Sequence, residues 1–396
     1  MELARTMAVH PLTYQELPYD PEYSLYAGRL TPEKLSNATP DEMYWKARQG
    51  VIFRHTGEHP FEISGPDALK LLQRIFPRDV SKVKKGRCSY QFACYHDGGM
   101  ITDGLLLRVG DGRYWFAQAD GDLFSWYKAH AEGLDVTISD PDVWVSQIQG
   151  PRSMELLGNL IDGSMPEPWR YFDWVEVSVA GEQVIISRTG FTNELGWEIY
   201  FRPENDIEML GDLILEEGSK MGMILTATPG FRCRRIEAGL LSAGQDFTQT
   251  TTPFAVGLGR FIDFEKGDFV GRTALMAAAK ECRSWGIRVE GGIALRGDTL
   301  ERHGQPIGRV TSSTWSPYQV CGVGIVYLNG ADLGPGTVVD VQCTEGTLHR
   351  GVLCTLPMYD PKGEIVRGIN KIIPTEPEPW AGILATADTK APTENA

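Results

Sequence analysis

The chain has 396 residues, 42% hydrophobic and 10% aromatic, with a formal net charge of −14 and a pI near 5.1. That length exceeds one compact core, so two or three domains are expected, and the acidity argues against free nucleic acid or an anionic membrane as partner. No apolar run approaches the roughly 20 residues that span a bilayer, and the opening MELARTMAVHPLTYQELPYD lacks the apolar stretch of a secretory signal.

Residues 1 to 40 are rich in Pro and Tyr and read as an ordered arm or wrap rather than a core element. From Pro40 the pattern is helical, with Asp41 and Glu42 in the first turn, where carboxylates suit the helix dipole. Phe61-Glu62-Ile63 alternates as a strand. Gly65-Pro66-Asp67 opens a helix carrying Ala68, Leu69, Leu71, Leu72 and Ile75, which Pro77 ends. Strands are expected at Cys88 to Cys94, Leu105 to Val109 and Tyr114 to Ala117, then a helix through Leu123 to Ala131 and strands at Val136 to Ile138 and Val143 to Ile148.

A short helix through Leu156 follows, then a hairpin over 184 to 201, a helix from Asp206 to about Met221 and another over Arg232 to Leu241. Val270 to Ala279 reads as helical. From Trp285 the texture changes to short β-runs separated by Gly, Asp, Pro and Ser, as in a small all-β module. The expected division is a domain over 1–280, a β-barrel domain over 281–373 and a flexible tail over 374–396, whose Pro and charge lack periodicity.

Seven cysteines lie at 88, 94, 233, 282, 321, 343 and 354 with no CxxC pair, which suits reduced thiols in the cytoplasm and no zinc ribbon or disulfide framework. His55 and His59 share an i, i+4 spacing, but Thr56-Gly57-Glu58 between them disfavours a helix, so no metal site is expected.

Three stretches hold candidate chemistry. In Tyr90 to Gly104, YQFACYHDGGMITDG, the turn His96-Asp97-Gly98-Gly99 returns the chain so that Asp103 stands just inside a mostly apolar strand. A carboxylate there is costly if buried without partners, so it lies at a solvated edge or is held for a purpose. In Ile185 to Phe201, IISRTGFTNELGWEIYF, two apolar strands flank turn residues, and Glu194 is delivered from a loop tip, either as a solvated carboxylate or to read a polar ligand edge. In Pro229 to Asp246, PGFRCRRIEAGLLSAGQD, Arg232, Arg234, Arg235 and Glu237 crowd one helix, as a solvated basic face or with a guanidinium aimed at a carboxylate ligand.

Taken in order, GPDAL at 65, HDGGMITD at 96, IQGPRS at 148, SRTGFTNELGWEIY at 187, RRIEAGLLSAGQD at 234, TPFAVGL at 252, FVGRTAL at 269 and GRVTSSTWSP at 308 resemble the aminomethyltransferase (glycine-cleavage T-protein) superfamily. The likeness runs from about 40 to 360 and, within the superfamily, is similar to the tetrahydrofolate-dependent demethylases such as the dimethylsulfoniopropionate demethylases. The resemblance implies an α+β fold: a cloverleaf of three subdomains around a folate-holding hole, the last a C-terminal β-barrel.

It implies an enzyme moving a methyl group from a small donor to N5 of tetrahydrofolate, the donor a sulfonium, a methoxy-aromatic or a methylamine. Carried over by position, Asp103 and Tyr90 are the catalytic candidates. Glu194, Asp103, Arg235 and Trp197 are candidates for holding the cofactor, Glu194 against the pterin ring and Arg235 near the folate tail or a substrate carboxylate. His55, Trp174 and Phe191 are candidates at the donor end. Trp169, Trp174 and Trp197 offer either a cation–π wall for an onium group or ordinary core packing. His55, His59 or Tyr90 could protonate a phenolate leaving group.

The family's Asp-x-Ser-His is replaced by Arg54-His55-Thr56-Gly57, its GYTGE by Gly190-Phe191-Thr192-Asn193-Glu194, and Arg232 is one position out of the RDxLRxE register. These departures weigh against aminomethyl transfer from a lipoyl carrier more than against folate binding. The KGCYxGQE signature of the superfamily's iron–sulfur-assembly scaffolds is absent, which counts against a non-catalytic folate-binding role. The expected partner is a small-molecule methyl donor, with neither nucleic acid nor membrane; oligomeric state, homo-oligomer included, is left open.

Overall fold

The structure is a computed structural model that describes residues 7–343 and 346–383. It is an α+β molecule of two facing sheets followed by a closed barrel. The first sheet has six strands in the order Trp174–Val179, Glu182–Ser187, Gly196–Phe201, Trp144–Gln149, Ile52–His55 and Ile224–Leu225, antiparallel except for the last pair. Its two central strands, WVSQIQ and GWEIYF, are buried on both faces, which explains why they read as near-continuous runs rather than alternating ones. The second sheet has five antiparallel strands, ordered Cys88–Cys94, Met100–Gly110, Arg113–Gln118, His59–Ser64 and Thr137–Ser139.

Each sheet covers its outer face with helices. Ser153–Leu160 and Ile207–Lys220 pack on the first, and Ala68–Ile75 and Phe124–His130 on the second. The inner faces meet through Cys88, Leu107, Trp115, Val143, Val145, Trp174, Ile185 and Tyr200. The helix Pro40–Gln49 begins with a reciprocal cap. Thr39 Oγ1 accepts from the Glu42 amide at 3.2 Å, and a Glu42 carboxylate oxygen accepts from the Thr39 amide at 2.7 Å. Proline at the first helical position and two acids in the first turn made this start legible.

The barrel closes in the order Ser284–Val289, Cys321–Leu328, Gln305–Ser316, Thr299–Arg302, Val338–Gln342 and Leu348–Cys354. The change of texture near 285 is therefore the start of a closed sheet, which leaves no open edge. Thr299–Arg302 escaped the sequence reading because it is short, half-buried and interrupted by a bulge after Leu300. Trp174–Val179 was overlooked as well, although WVEVSV alternates as an edge strand should.

The N-terminal arm does more than wrap. It forms two 3-10 turns and the hairpin Glu22–Tyr26/Arg29–Lys34, and it buries Leu12 and Leu35 in the core with the first sheet. After the barrel the chain runs back as a strap. The Met358 amide donates to the Glu237 carbonyl at 2.7 Å, and Gln49 donates to the Pro374 carbonyl at 2.8 Å. Glu378 and Trp380 donate their amides to Tyr318 and Gln319, each at 2.8 Å. The part of the expected flexible tail up to Ile383 thus carries specific hydrogen bonds, and the remainder lies outside the described residues. Among the described residues no helix is long and apolar enough to cross a membrane, and no group of three or more His, Cys, Asp or Glu is placed to hold a metal ion.

Candidate functional site

The strands Cys88–Cys94 and Met100–Gly110 pair so that Phe92 lies opposite Asp103 and Tyr90 opposite Leu105. Tyr90 and Asp103 are then diagonal neighbours on one face, within reach of a long side chain. The Tyr90 hydroxyl donates to Asp103 Oδ2 at 2.7 Å. Asp103 is 7% exposed. Burial pushes its carboxyl up from 3.8 to about 6; the bonds from Tyr90 and its own backbone pull the other way, and the Asp246 charge adds to the rise. Burial and Asp103 also lift the Tyr90 phenol well above its ordinary range, so it remains a donor. Residue 104 must be glycine, since a Cβ there would lie 2.3 Å from the Ala117 carbonyl oxygen of the neighbouring strand.

The hairpin over 182–201 holds two buried acids with different surroundings. Its loop closes on the fully buried Gln149 side chain, which donates to the Thr189 carbonyl at 3.1 Å and accepts from Thr192 at 2.7 Å. A Cβ at Gly190 or Gly196 would come within 2.2 Å of that amide, which accounts for both glycines. Glu194 is 3% exposed, not a solvated loop tip. Its Oε1 accepts from Arg48 at 2.8 Å and lies 2.7 Å from Arg234 Nη2, the latter a charge contact without hydrogen-bond alignment. Arg234 in turn pairs with Glu237 at 2.6 Å, and Tyr44, Ser316 and Tyr359 donate to that carboxylate.

Glu198, four residues on, meets only neutral donors. Thr189 Oγ1 donates at 2.6 Å and Tyr200 at 3.1 Å to one oxygen, and Gln147 at 3.1 Å to the other. Among the described residues no basic group lies within ion-pair distance of it. Burial first, then the Glu58 charge, pushes its carboxyl up from 4.5 to about 7 against the pull of those hydroxyls. Cys88, two residues before Tyr90 on the same strand face, feels the Glu198 charge in its own raised thiol. One strand therefore runs between the two cation-free acids.

Other candidates lie apart from this pair. Arg235 is engaged by Asp246 at 2.9 Å, Ser312 at 2.9 Å and the Leu240 carbonyl at 3.1 Å, so its guanidinium ties the helix to the barrel. Arg234 and Arg235 are buried rather than forming a solvated basic face. Trp197 is fully buried against Trp169, with ring centroids 4.6 Å apart, and Trp174 lies in the core between the sheets. Phe191 packs on Ala47, Ile52 and Phe231. His55 is enclosed, stacked on His10 and bonded to Ser146 at 3.0 Å; burial, then Arg54, pulls it to about 3, so the ring is neutral. His59 pairs with Asp140 at 2.7 Å.

Two features had no sequence signal that was used. Glu198 is a charged residue inside an otherwise apolar run, a placement that costs free energy without a purpose. Tyr26 stands at the hairpin tip of the N-terminal arm, anchored by the Ala27 amide donating to Asp120 at 3.2 Å. Its phenol is raised well above the ordinary range by burial and then by Glu58, Asp103 and Asp120, which places it among those acids. Gly57 makes room for it, since a Cβ there would lie 2.9 Å from the Tyr26 ring.

A cleft of about 1430 Å³ opens beside the Tyr90 strand, bounded by Cys88, Ser89, Tyr171, Phe172 and Phe261 together with many basic side chains. The rings of Tyr90 and Phe261 lie 5.6 Å apart, and burial first, then the Glu198 charge, pushes the Tyr171 phenol up to about 12.

Two family models match the sequence: the GCVT N-terminal domain over residues 10–266 and the glycine cleavage T-protein C-terminal barrel domain over residues 283–360. The aminomethyltransferase of Bacillus subtilis (strain 168) is 34% identical over 348 residues, covering 84% of this chain and 94% of the relative. The dimethylsulfoniopropionate demethylase DmdA of Ruegeria pomeroyi is 30% identical over 331 residues, covering 82% and 90%. Among solved structures, the glycine cleavage system aminomethyltransferase T from Bartonella henselae superposes with a TM-score of 0.80 at 22% identity, over 89% of this chain and 98% of that one.

Proposed function

The chain belongs to the glycine-cleavage T-protein (aminomethyltransferase) family of enzymes, and from that premise we propose that it moves a methyl group from a small donor to N5 of tetrahydrofolate. A sulfonium of the dimethylsulfoniopropionate type is the preferred donor. The observation that carries this reading is the pair of enclosed, cation-free carboxylates, Asp103 bonded to Tyr90 and Glu198 among hydroxyls. A reduced pterin presents several N–H donors along one edge, and acids that lack a cationic partner fit that edge. Glu198 takes the pterin edge in this reading, because Glu194 is already neutralised between Arg48 and Arg234.

Tetrahydrofolate, when bound, supplies the nitrogen lone pair that accepts the methyl group. The chain's own residues supply placement and field. Tyr90 fixes the Asp103 carboxylate by its hydrogen bond, and Asp103, ionised above about pH 6, favours the positive charge that grows at a neighbouring alkylated nitrogen. Enclosure by the two sheets keeps water from competing for the methyl carbon. A sulfonium or ammonium donor needs no acid, and the neutral, enclosed His55 is not poised to give a proton. The Tyr26 ring among Glu58, Asp103 and Asp120 suits an onium donor, and the buried Glu58 Oε2 has no hydrogen-bond partner of its own.

The similarity to the Bacillus subtilis aminomethyltransferase supports a second reading, aminomethyl transfer with a lipoyl carrier. The Arg54-His55-Thr56-Gly57 departure weighs against it. Sulfonium, methylamine and methoxy-aromatic donors, offered with tetrahydrofolate and scored by the mass of the folate product, separate the two. Methyltetrahydrofolate from an onium donor is the expected result; methylenetetrahydrofolate and ammonia, formed only with an aminomethyl-lipoyl carrier, would overturn it. The seven free cysteines suit a reducing compartment, and we assign the enzyme to the cytosol.

A further inference from the structure

Arg54 stands in a row with the acid assigned to the pterin. It pairs across the sheet with Gln147, and Gln147 with Glu198, so the three side chains leave one face from three neighbouring strands. Two strand spacings put the Arg54 and Glu198 backbones about 10 Å apart. Gln147 fills the middle, donating to Glu198 at 3.1 Å and keeping its buried Oε1 without a partner. Arg54 is half-buried, so a ligand can reach it. Its guanidinium donates to Thr228 Oγ1 at 3.2 Å and lies 4.5 Å from the centre of the Phe231 ring. Among the described residues no carboxylate is within ion-pair distance of it, and most of its five N–H donors are unused. The acids nearby are occupied or set back. Glu33 pairs with Arg232 at 3.4 Å and accepts from Ser24 and Thr228. Glu16 is 1% exposed, and burial pushes its carboxyl up to about 7, so at neutral pH it offers Arg54 only part of a charge. Glu58 sends its charge to Arg54, Tyr26 and Glu198 alike. Burial holds Arg54 below its ordinary range against the pull of all three acids.

We propose that the methyl donor carries a carboxylate and that Arg54 reads it, which makes Arg54 a specificity-determining residue; the proposal rests on the methyl-transfer reading above. A guanidinium fork matches a carboxylate through two parallel N–H bonds, and an enclosed cation with one neutral partner gains most from such a ligand. Tyr26 is a charge neighbour of Arg54 on one hand and of Asp103 on the other. A donor lying along its ring therefore sets the carboxylate at Arg54 and the methyl group toward Asp103, with Glu58 beside the positive end. A simple onium without an acid group leaves Arg54 unmatched. The Asp-x-Ser-His motif places an acid where this chain has Arg54, so the charge at this point is reversed. A donor carboxylate repelled by the one is held by the other. Sulfonium, ammonium and methoxy-aromatic donors can all bear that carboxylate, so the test carries all three.

The test sets each of three acids, dimethylsulfoniopropionate, trimethylglycine and 4-hydroxy-3-methoxybenzoate, against its primary amide in steady-state kinetics. The whole protein is used with saturating tetrahydrofolate. In whichever pair is turned over, the acid should exceed the amide about thirtyfold in kcat/KM, carried mainly by KM. Arg54→Gln should bring that ratio to within about twofold of one by loss on the acid. Arg54→Lys keeps the charge without the fork and should fall between. Calorimetric binding of tetrahydrofolate by each variant shows that it is folded. Equal kcat/KM for acid and amide in the unaltered protein would overturn the proposal, as would a ratio that survives Arg54→Gln. Methylation of folate by none of the six compounds would remove the methyl-transfer reading itself, a different outcome from equal rates.

Discussion

Replacing Asp103 by Asn separates the cost of this carboxylate from its use. Its folded value, about 6, lies above the ordinary 3.8, so the native state holds the proton more tightly than the unfolded chain. The sign follows: the penalty for ionising is absent below about pH 4, grows as pH rises toward 6, and is complete above that. At about 1.4 kcal/mol per pH unit the carboxylate costs the fold about 3 kcal/mol at pH 8. Asn keeps the shape and can still accept from Tyr90 but has no charge to bury. Asp103→Asn should therefore melt about 2–4 °C higher than the native protein at pH 8 and equal it near pH 4, while methyl transfer falls at least about hundredfold. Thermal unfolding at both pH values, with turnover measured at pH 8, checks both halves. A variant no more stable at pH 8, or one that keeps its turnover, would refute the reasoning.

Tyr90→Phe removes the hydrogen bond that holds the Asp103 carboxyl down; losing about 1 kcal/mol should move the acid limb of the pH–rate profile up by about 0.7 unit. A limb that stays put would detach Tyr90 from Asp103 in solution. Glu198→Gln should weaken tetrahydrofolate binding about ten- to hundredfold by calorimetry at pH 8, the worth of a charged acceptor. Since the Glu198 carboxyl titrates near 7, native affinity should also fall between pH 8 and 6, and the variant's should not. Glu194→Gln should instead cost about 3–5 kcal/mol of stability by leaving two buried guanidinia short of charge, with folate affinity kept in the folded protein. A stable Glu194→Gln that loses folate would return the pterin contact to Glu194.

How much could be read in advance depended on distance along the chain. Asp103 was legible as a carboxylate inside a mostly apolar strand and Tyr90 only through the family resemblance; that the two side chains share a face follows from the register of their strands across the glycine turn. The barrel was legible because short β-runs between turn residues have few other destinations. Glu194 and Glu198 differ in partners supplied from far away. Arg48 reaches Glu194 across 146 residues, and no local pattern encodes that pairing. Seen locally, the loop acid looks free and the strand acid looks misplaced in an apolar run; packing gives the first its cations and leaves the second with neutral donors. Tyr26 was hidden for a related reason: an arm without periodicity shows which residues it holds but not where its tip lands.

The polar joint at Glu237 has a consequence for any attempt to treat the barrel as a detachable part. Tyr44 from the helix Pro40–Gln49, Arg234 from the helix Thr228–Ala238, Ser316 from the barrel and Tyr359 from the strap all end on that one carboxylate. A chimaera that took its barrel and strap from a relative would inherit two of those four groups and keep the other two. Such grafts can succeed only when both parents happen to agree at all of these positions, so the front and back of the chain must change in concert as sequences diverge.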